Sequence, residues 1–191
     1  MRTHTVELFS ITELDEKAQE KAIDYLREHD YYGFESSEIE ELFKVKLDEY
    51  GLPTDVEFSL GYRQGDGVAF YGDIDVEKLL KNIGEWEEYK WLVNQYELSA
   101  TTTRNSYGSH YSHWNTMEVY MQREEEYHSS FSRMVGKKLW DLIKLRVVSV
   151  SRELEKLGYE MIEANQKKEH IIECAELNEM EFRKDGRLWA G

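Results

Sequence analysis

The sequence predicts an α+β fold: an antiparallel sheet of about four strands, two acidic helices before it and two helices after it, packed on it. Three patterns carry this. Two early segments keep helical spacing of apolar residues behind S-x-x-E starts. The stretch after Pro53 alternates apolar and polar residues around a Gly-containing turn. Beyond residue 130 a long run returns to three- and four-residue spacing.

Val6 and Leu8 alternate with Thr5 and Glu7, which predicts a short first strand. Ser10 and Glu13 then form a capping box. Leu14, Ala18, Ala22, Tyr25 and Leu26 follow with helical spacing, predicting an amphipathic helix over 12–28. The aromatic stretch 29–34 reads as a turn. Ser37 and Glu40 make a second capping box, and Ile39, Leu42, Phe43, Leu47 and Tyr50 keep helical period up to a C-cap at Gly51. Glu16, Glu20, Asp24, Glu38, Glu41 and Asp48 fall on the outward faces of these two helices.

Val56, Phe58, Leu60 and Tyr62, then Val68 and Phe70, alternate on either side of Arg63-Gln64-Gly65-Asp66-Gly67, a hairpin signature. Asp75 is placed to cap a short helix over 76–83. Leu92 to Leu98 and Met117 to Met121 read as a second antiparallel pair, extended by the polar, aromatic segment 100–115 around a turn at 106–109. Trp86, Tyr89 and Trp91 fall in an unassigned junction. Val135, Leu139, Ile143, Val147, Val150, Leu154 and Leu157 predict a long helix ending at Gly158, and a last helix covers 160–177. Asp185-Gly186 makes a turn in the tail.

The chain has 191 residues and no Pro-rich linker, which predicts one domain over 1–191. Such a chain buries roughly two-thirds of its unfolded surface without a metal or disulfide staple. Cys174 is the only cysteine, so no intramolecular disulfide forms. The first ten residues lack the apolar core of a secretory signal, and no run reaches the roughly 18 apolar residues of a membrane span, which predicts a cytoplasmic protein. Net charge is −15, unevenly spread: −14 over residues 1–100, +2 over 101–150 and −3 over 151–191. The acidic front half disfavours contact with a phosphate backbone and favours a protein partner with a basic surface. Simple solubilisation by charge is the alternative. The basic stretch 133–152 is expected to face the acidic helices of the same molecule. The tryptophans show no basic surround of the kind that stacks single strands.

For chemistry the sequence offers little. Gln64, Asp66 and His113 are candidates for a ligand rim, against a plain hairpin turn. His110 and His113 are spaced H-x-x-H, but neither a helical i, i+4 pair nor a cysteine pair supports a metal site. Cys174 beside Ile171 and Ile172 reads as a small buried thiol. No nucleophile elbow, dinucleotide fingerprint or kinase signature occurs. No catalytic residue, metal or cofactor is predicted.

Residues Leu14 to Ile23, the Gln64-Gly65-Asp66-Gly67-Val68-Ala69-Phe70 hairpin, the strand starting at His113 and running to Met117, and the tail Asn178 to Trp189 resemble a family of uncharacterised phage and mobile-element proteins, some labelled antitoxins. The resemblance implies a phage context. It raises the expectation of a non-enzymatic inhibitor, anti-CRISPR-like, that occupies the basic groove of a host defence nuclease by presenting carboxylates in place of phosphates. An antitoxin-like partner of a toxin, and a small hydrolase or metal enzyme using Asp66, His110 and His113, are the alternatives.

Overall fold

The computed structural model describes residues 5–29, 36–105 and 111–189. The order of elements is α1 (Glu16–Glu28), α2 (Ser36–Glu49), β1 (Asp55–Ser59), β2 (Gly67–Ile74), α3 (Val76–Asn82), α4 (Trp86–Tyr96), β3 (Ser99–Arg104), β4 (Met117–Gln122), α5 (Ser130–Asn165) and α6 (Lys168–Leu177). The four strands form one antiparallel sheet in the order β1-β2-β3-β4, so the α+β class matches the expectation and the helix order does so roughly, with α4 additional and the last helix starting at Lys168 rather than 160. Two compact units emerge: residues 36–159, and residues 1–35 with 160–191. Of the two acidic helices, α2 belongs to the larger unit and α1 to the smaller.

In the larger unit, β2 is shared between two partners. Residues 67–71 pair with β1, from Ser59↔Gly67 to Asp55↔Tyr71, and residues 72–74 pair with β3. The handover falls at Gly72, whose φ of +126° is open to glycine alone. Val68, Ala69 and Phe70 are all buried, so this half of β2 is covered on both faces rather than alternating. The Ser151 hydroxyl of α5 donates to the Val68 carbonyl.

The sequence predicts the end of α5 at Gly158, yet the helix runs through to Asn165. A Cβ at Gly158 would lie 2.4 Å from Leu60 Cδ1 and 3.0 Å from Phe43 Cζ. The glycine is there for close approach to the hairpin and α2, not as a stop. Phe43 meets Phe58 edge-on at 5.4 Å in the same cluster. Gly51 is a C-cap as expected: with φ +71°, its N–H donates to Asp48 O at 2.9 Å and the Leu52 N–H to Leu47 O at 2.9 Å, a Schellman pair.

Two further expectations are overturned. Residues 92–96 belong to helix α4 rather than to a strand, and β3 starts only at Ser99. Tyr89, Leu92 and Tyr96 are its buried face; three- and four-residue spacing outweighs the weak alternation. Glu97 then ends α4 in the left-handed conformation, φ 45°. The other concerns residues 12–28. Glu13 does accept from the Ser10 N–H at 2.9 Å, but this box closes a 3-10 turn at Ile11–Glu13, and Asp15 caps α1 by accepting from the Ala18 N–H at 2.9 Å. The turns expected around Gly33 and at 106–109 lie outside the described residues.

The smaller unit has its own core: Ile11, Leu14, Ala18, Ala22, Ile23 and Leu26 against Ile171, Ala175 and Phe182. The first strand reduces, among the described residues, to one bridge between Phe9 and Phe182. The Asp185-Gly186 turn forms as predicted and packs so tightly on α1 that a Cβ at Gly186 would stand 2.2 Å from the Ala18 carbonyl oxygen. Among the described residues, no helix is long and apolar enough to cross a membrane.

Candidate functional site: acidic helix faces and the Asp66 loop

Helical spacing sets the first candidate. Glu16, Glu20 and Asp24 recur every fourth residue on α1, and Glu38, Glu41 and Asp48 lie on one side of α2; all six are exposed. On α1 the carboxylates climb roughly 6 Å per step, against roughly 3.4 Å per phosphate of a strand. Each helix thus offers about one charge per two phosphates.

Neutralisation by neighbours is selective. Asp24 pairs with Arg27 at 2.9 Å and Asp48 with Lys78 at 3.1 Å. Lys44 and Lys46 on α2 turn to Glu40 and Glu49. Glu16, Glu20, Glu38 and Glu41 make no ion pair among the described residues. The exposed apolar side chain of Val45 stands between Glu41 and Asp48. Exposed carboxylates of this kind suit a cationic surface.

The second candidate is the hairpin loop. Asp66 is only 8% exposed. Its carboxylate accepts from the Arg63 N–H at 2.7 Å, the Ser59 hydroxyl at 2.8 Å and the Tyr159 hydroxyl at 2.9 Å. Burial pushes this carboxyl up, but these bonds and one from the Gly61 N–H outweigh burial and hold it below its ordinary 3.8. Burial first, then the bond and charge of Asp66, push the Tyr159 hydroxyl up to about 12. The ring of Tyr62, a residue at φ 56°, lies tilted against the Tyr159 ring with centroids 4.6 Å apart. Asp66 is thus engaged inside the larger unit, tying β1, the loop and α5 together.

Gln64 stands exposed on the same loop. His113 is half-buried, its Nδ1 2.8 Å from Asn115 Oδ1 and 3.3 Å from the Asn115 N–H. A Cβ at Gly67 would touch His113 at 2.9 Å, and one at Gly65 the Tyr111 ring at 2.5 Å, so residues 111–113 pack directly under the loop. His110 lies outside the described residues. Among those described, no group of three or more His, Cys, Asp or Glu could hold a metal ion. His128 is exposed, 3.4 Å from the Glu125 carboxylate. Cys174 is half-buried with Sγ 3.4 Å from His170 Nε2; burial, then the Glu173 charge, push the thiol up, away from the reactive thiolate.

Sequence reasoning missed Ser59, across the hairpin from the Asp66 loop, and Tyr159, which nothing local connects to Asp66. Four tryptophan rings each carry one cation. Lys144 Nζ lies 4.6 Å from the Trp140 ring, Arg152 is 4.6 Å from Trp114, Arg183 5.0 Å from Trp189 and Lys81 5.6 Å from Trp86. Only the Trp140–Lys144 pair, four residues apart on one helix, had a signal in the sequence. Nor is the basic stretch covered by acidic helices. Arg133, Lys137, Lys138 and Lys144 are exposed, and the partner of Lys137 is Asp141 on the same helix, at 2.8 Å. Comparison with protein-family models, with curated proteins and with solved structures found no match.

Proposed function

We propose that this chain is a non-enzymatic acidic inhibitor that binds the basic surface of a nucleic-acid-handling protein, a host defence nuclease of the CRISPR-effector kind being the target the phage resemblance implies. The observation that carries the reading is that four exposed carboxylates, Glu16 and Glu20 on α1 and Glu38 and Glu41 on α2, make no ion pair among the described residues. Unpaired carboxylates on a rigid helix are ready to meet cations, because no internal partner must first be given up. Their repulsion of phosphate directs them to the protein rather than to its nucleic acid.

The test is capture of partners from host lysate at low and high salt, with the wild-type chain and with Glu16, Glu20, Glu38 and Glu41 all replaced by Lys. A nuclease retained at low salt, released at high salt and lost by the quadruple variant is the expected result. Each exposed contact is worth about 0.2–1 kcal/mol, so the four together account for roughly a fourfold to nearly thousandfold loss of affinity. Retention of the same partner by the quadruple variant would remove the acidic faces from the mechanism.

A further inference from the structure

The most basic part of the chain surrounds a cavity of its own. Between β4, an edge strand of the sheet, and the first half of α5 lies a cleft of about 350 Å³ within the larger unit. That size suits a ligand no larger than one nucleotide. Arg123, Arg133 and Lys137 line it, and no carboxylate does. In a molecule of net charge −15 this is a local inversion of sign. Just outside the lining, Glu126 pairs with Arg123 at 2.7 Å and Asp141 with Lys137 at 2.8 Å. Arg133 makes no ion pair among the described residues. Exposed pairs of this kind exchange readily for a better anion.

The walls are aromatic. Trp140 is fixed by two contacts: its indole N–H donates to the Val119 carbonyl at 3.3 Å, and Lys144 Nζ lies 4.6 Å from its ring. It nevertheless remains 36% exposed, and Tyr120, also lining the cleft, is 47% exposed. Tyr127 lines the cleft as well, with the Arg123 guanidinium 4.7 Å from its ring. Its hydroxyl is buried and has no hydrogen-bond partner among the described residues. Gly136, in the middle of a helix where alanine is intrinsically better, permits this: a Cβ there would stand 2.1 Å from Tyr127 Oη.

We infer that this cleft is a binding site for a free nucleoside monophosphate, the base lying against Trp140 and Tyr120 and the phosphate meeting Arg133, Arg123 and Lys137. A planar ring gains from aromatic walls, and a dianion gains from the three cations that line the cleft. The free nucleotide is favoured over a strand, since the charge of the whole molecule repels a polyanion while the cleft holds one unit. The site is separate from the acidic helix faces, so it stands or falls without them.

Calorimetric titration of the full chain with AMP, adenosine, inorganic phosphate and a short oligo-dA tests it. AMP is expected to bind at one site, with adenosine and phosphate each at least about tenfold weaker. Arg133→Ala, an exposed change that spares the fold, is expected to weaken AMP by about tenfold or more, the value of one charged hydrogen bond. Trp140→Phe, which keeps a ring but loses indole area, is expected to weaken it less. No saturable binding of AMP, adenosine binding as tightly as AMP, or indifference to Arg133→Ala would each overturn the site. An oligo-dA strand binding more tightly than AMP would overturn the assignment to a free nucleotide.

Discussion

Replacing Asp66 by Ala removes one carboxylate and strands several donors at once. The Ser59 and Tyr159 hydroxyls can turn toward water, because the Tyr159 side chain is only half-buried. The Arg63 N–H, held at 2.7 Å, is fixed by the loop and cannot. A hydrogen bond to a charged acceptor is worth about 1.5–3 kcal/mol. Allowing one such bond in full and partial recovery of the others gives a loss of about 3 kcal/mol. For a chain of this size that lowers the melting temperature by roughly 6–12 °C. Tyr159→Phe removes a single bond to that charged acceptor and, at the low end of this range, costs about 1.5 kcal/mol. The pH dependence supplies the signature. Because the folded carboxyl sits below its ordinary 3.8, its contribution is complete above that value and disappears as pH falls through the folded value. Tyr159 works in the other direction. Raised to about 12 from 10, it contributes fully below pH 10, and that contribution is lost as pH rises through about 12. Thermal melts of wild type, Asp66→Ala and Tyr159→Phe between pH 3 and 12 are the assay. The acid-limb loss is expected to shrink in Asp66→Ala and the alkaline limb to shrink in Tyr159→Phe. A melt of Asp66→Ala within about 1 °C of wild type at pH 7 would refute the argument.

Three further substitutions probe the packing. Gly158→Ala gains about 1 kcal/mol of helix propensity but forces Leu60 and Phe43 apart, so urea denaturation is expected to show a net loss of about 1–2 kcal/mol. Glu97→Gly relieves a left-handed residue at the end of α4 and is expected to raise stability by about 1 kcal/mol, read by the same assay. Phe182→Ala empties the centre of the smaller unit, where Phe182 is wholly buried. It is expected to cost about 3–5 kcal/mol and to raise amide exchange in α1 and α6 before the sheet.

The acidic and basic features of this molecule reach different depths in the sequence. Regular spacing on a helix predicts exposure directly, so Glu16, Glu20, Asp24, Glu38, Glu41 and Asp48 could be assigned outward faces before any coordinates. The cleft could not. Tyr120 and Arg123 come from a strand edge, Tyr127 from the following turn, and Arg133 and Trp140 from a helix, and nothing in the spacing places them round one space. The same holds for Asp66, which as a residue of a Gly-rich loop looks available to a ligand. Its neighbour Tyr159 lies 93 positions away, so the bond that engages it is invisible to local reading.

By itself the sequence determined the α+β class, the hairpin around Gly65 and Gly67, the Schellman end at Gly51, the tail turn at Gly186 and the polarity of the charge along the chain. These follow from interactions among residues a few positions apart: periodicity, caps and the freedom of glycine in turns. Tertiary structure alone decided that Gly158 continues a helix instead of ending one, that β2 changes partners at Gly72, and that α1 with α6 and the tail form a unit with its own core. Each depends on contacts across long stretches of chain. At such places burial and close approach, whose energies exceed the local preferences, determine the conformation.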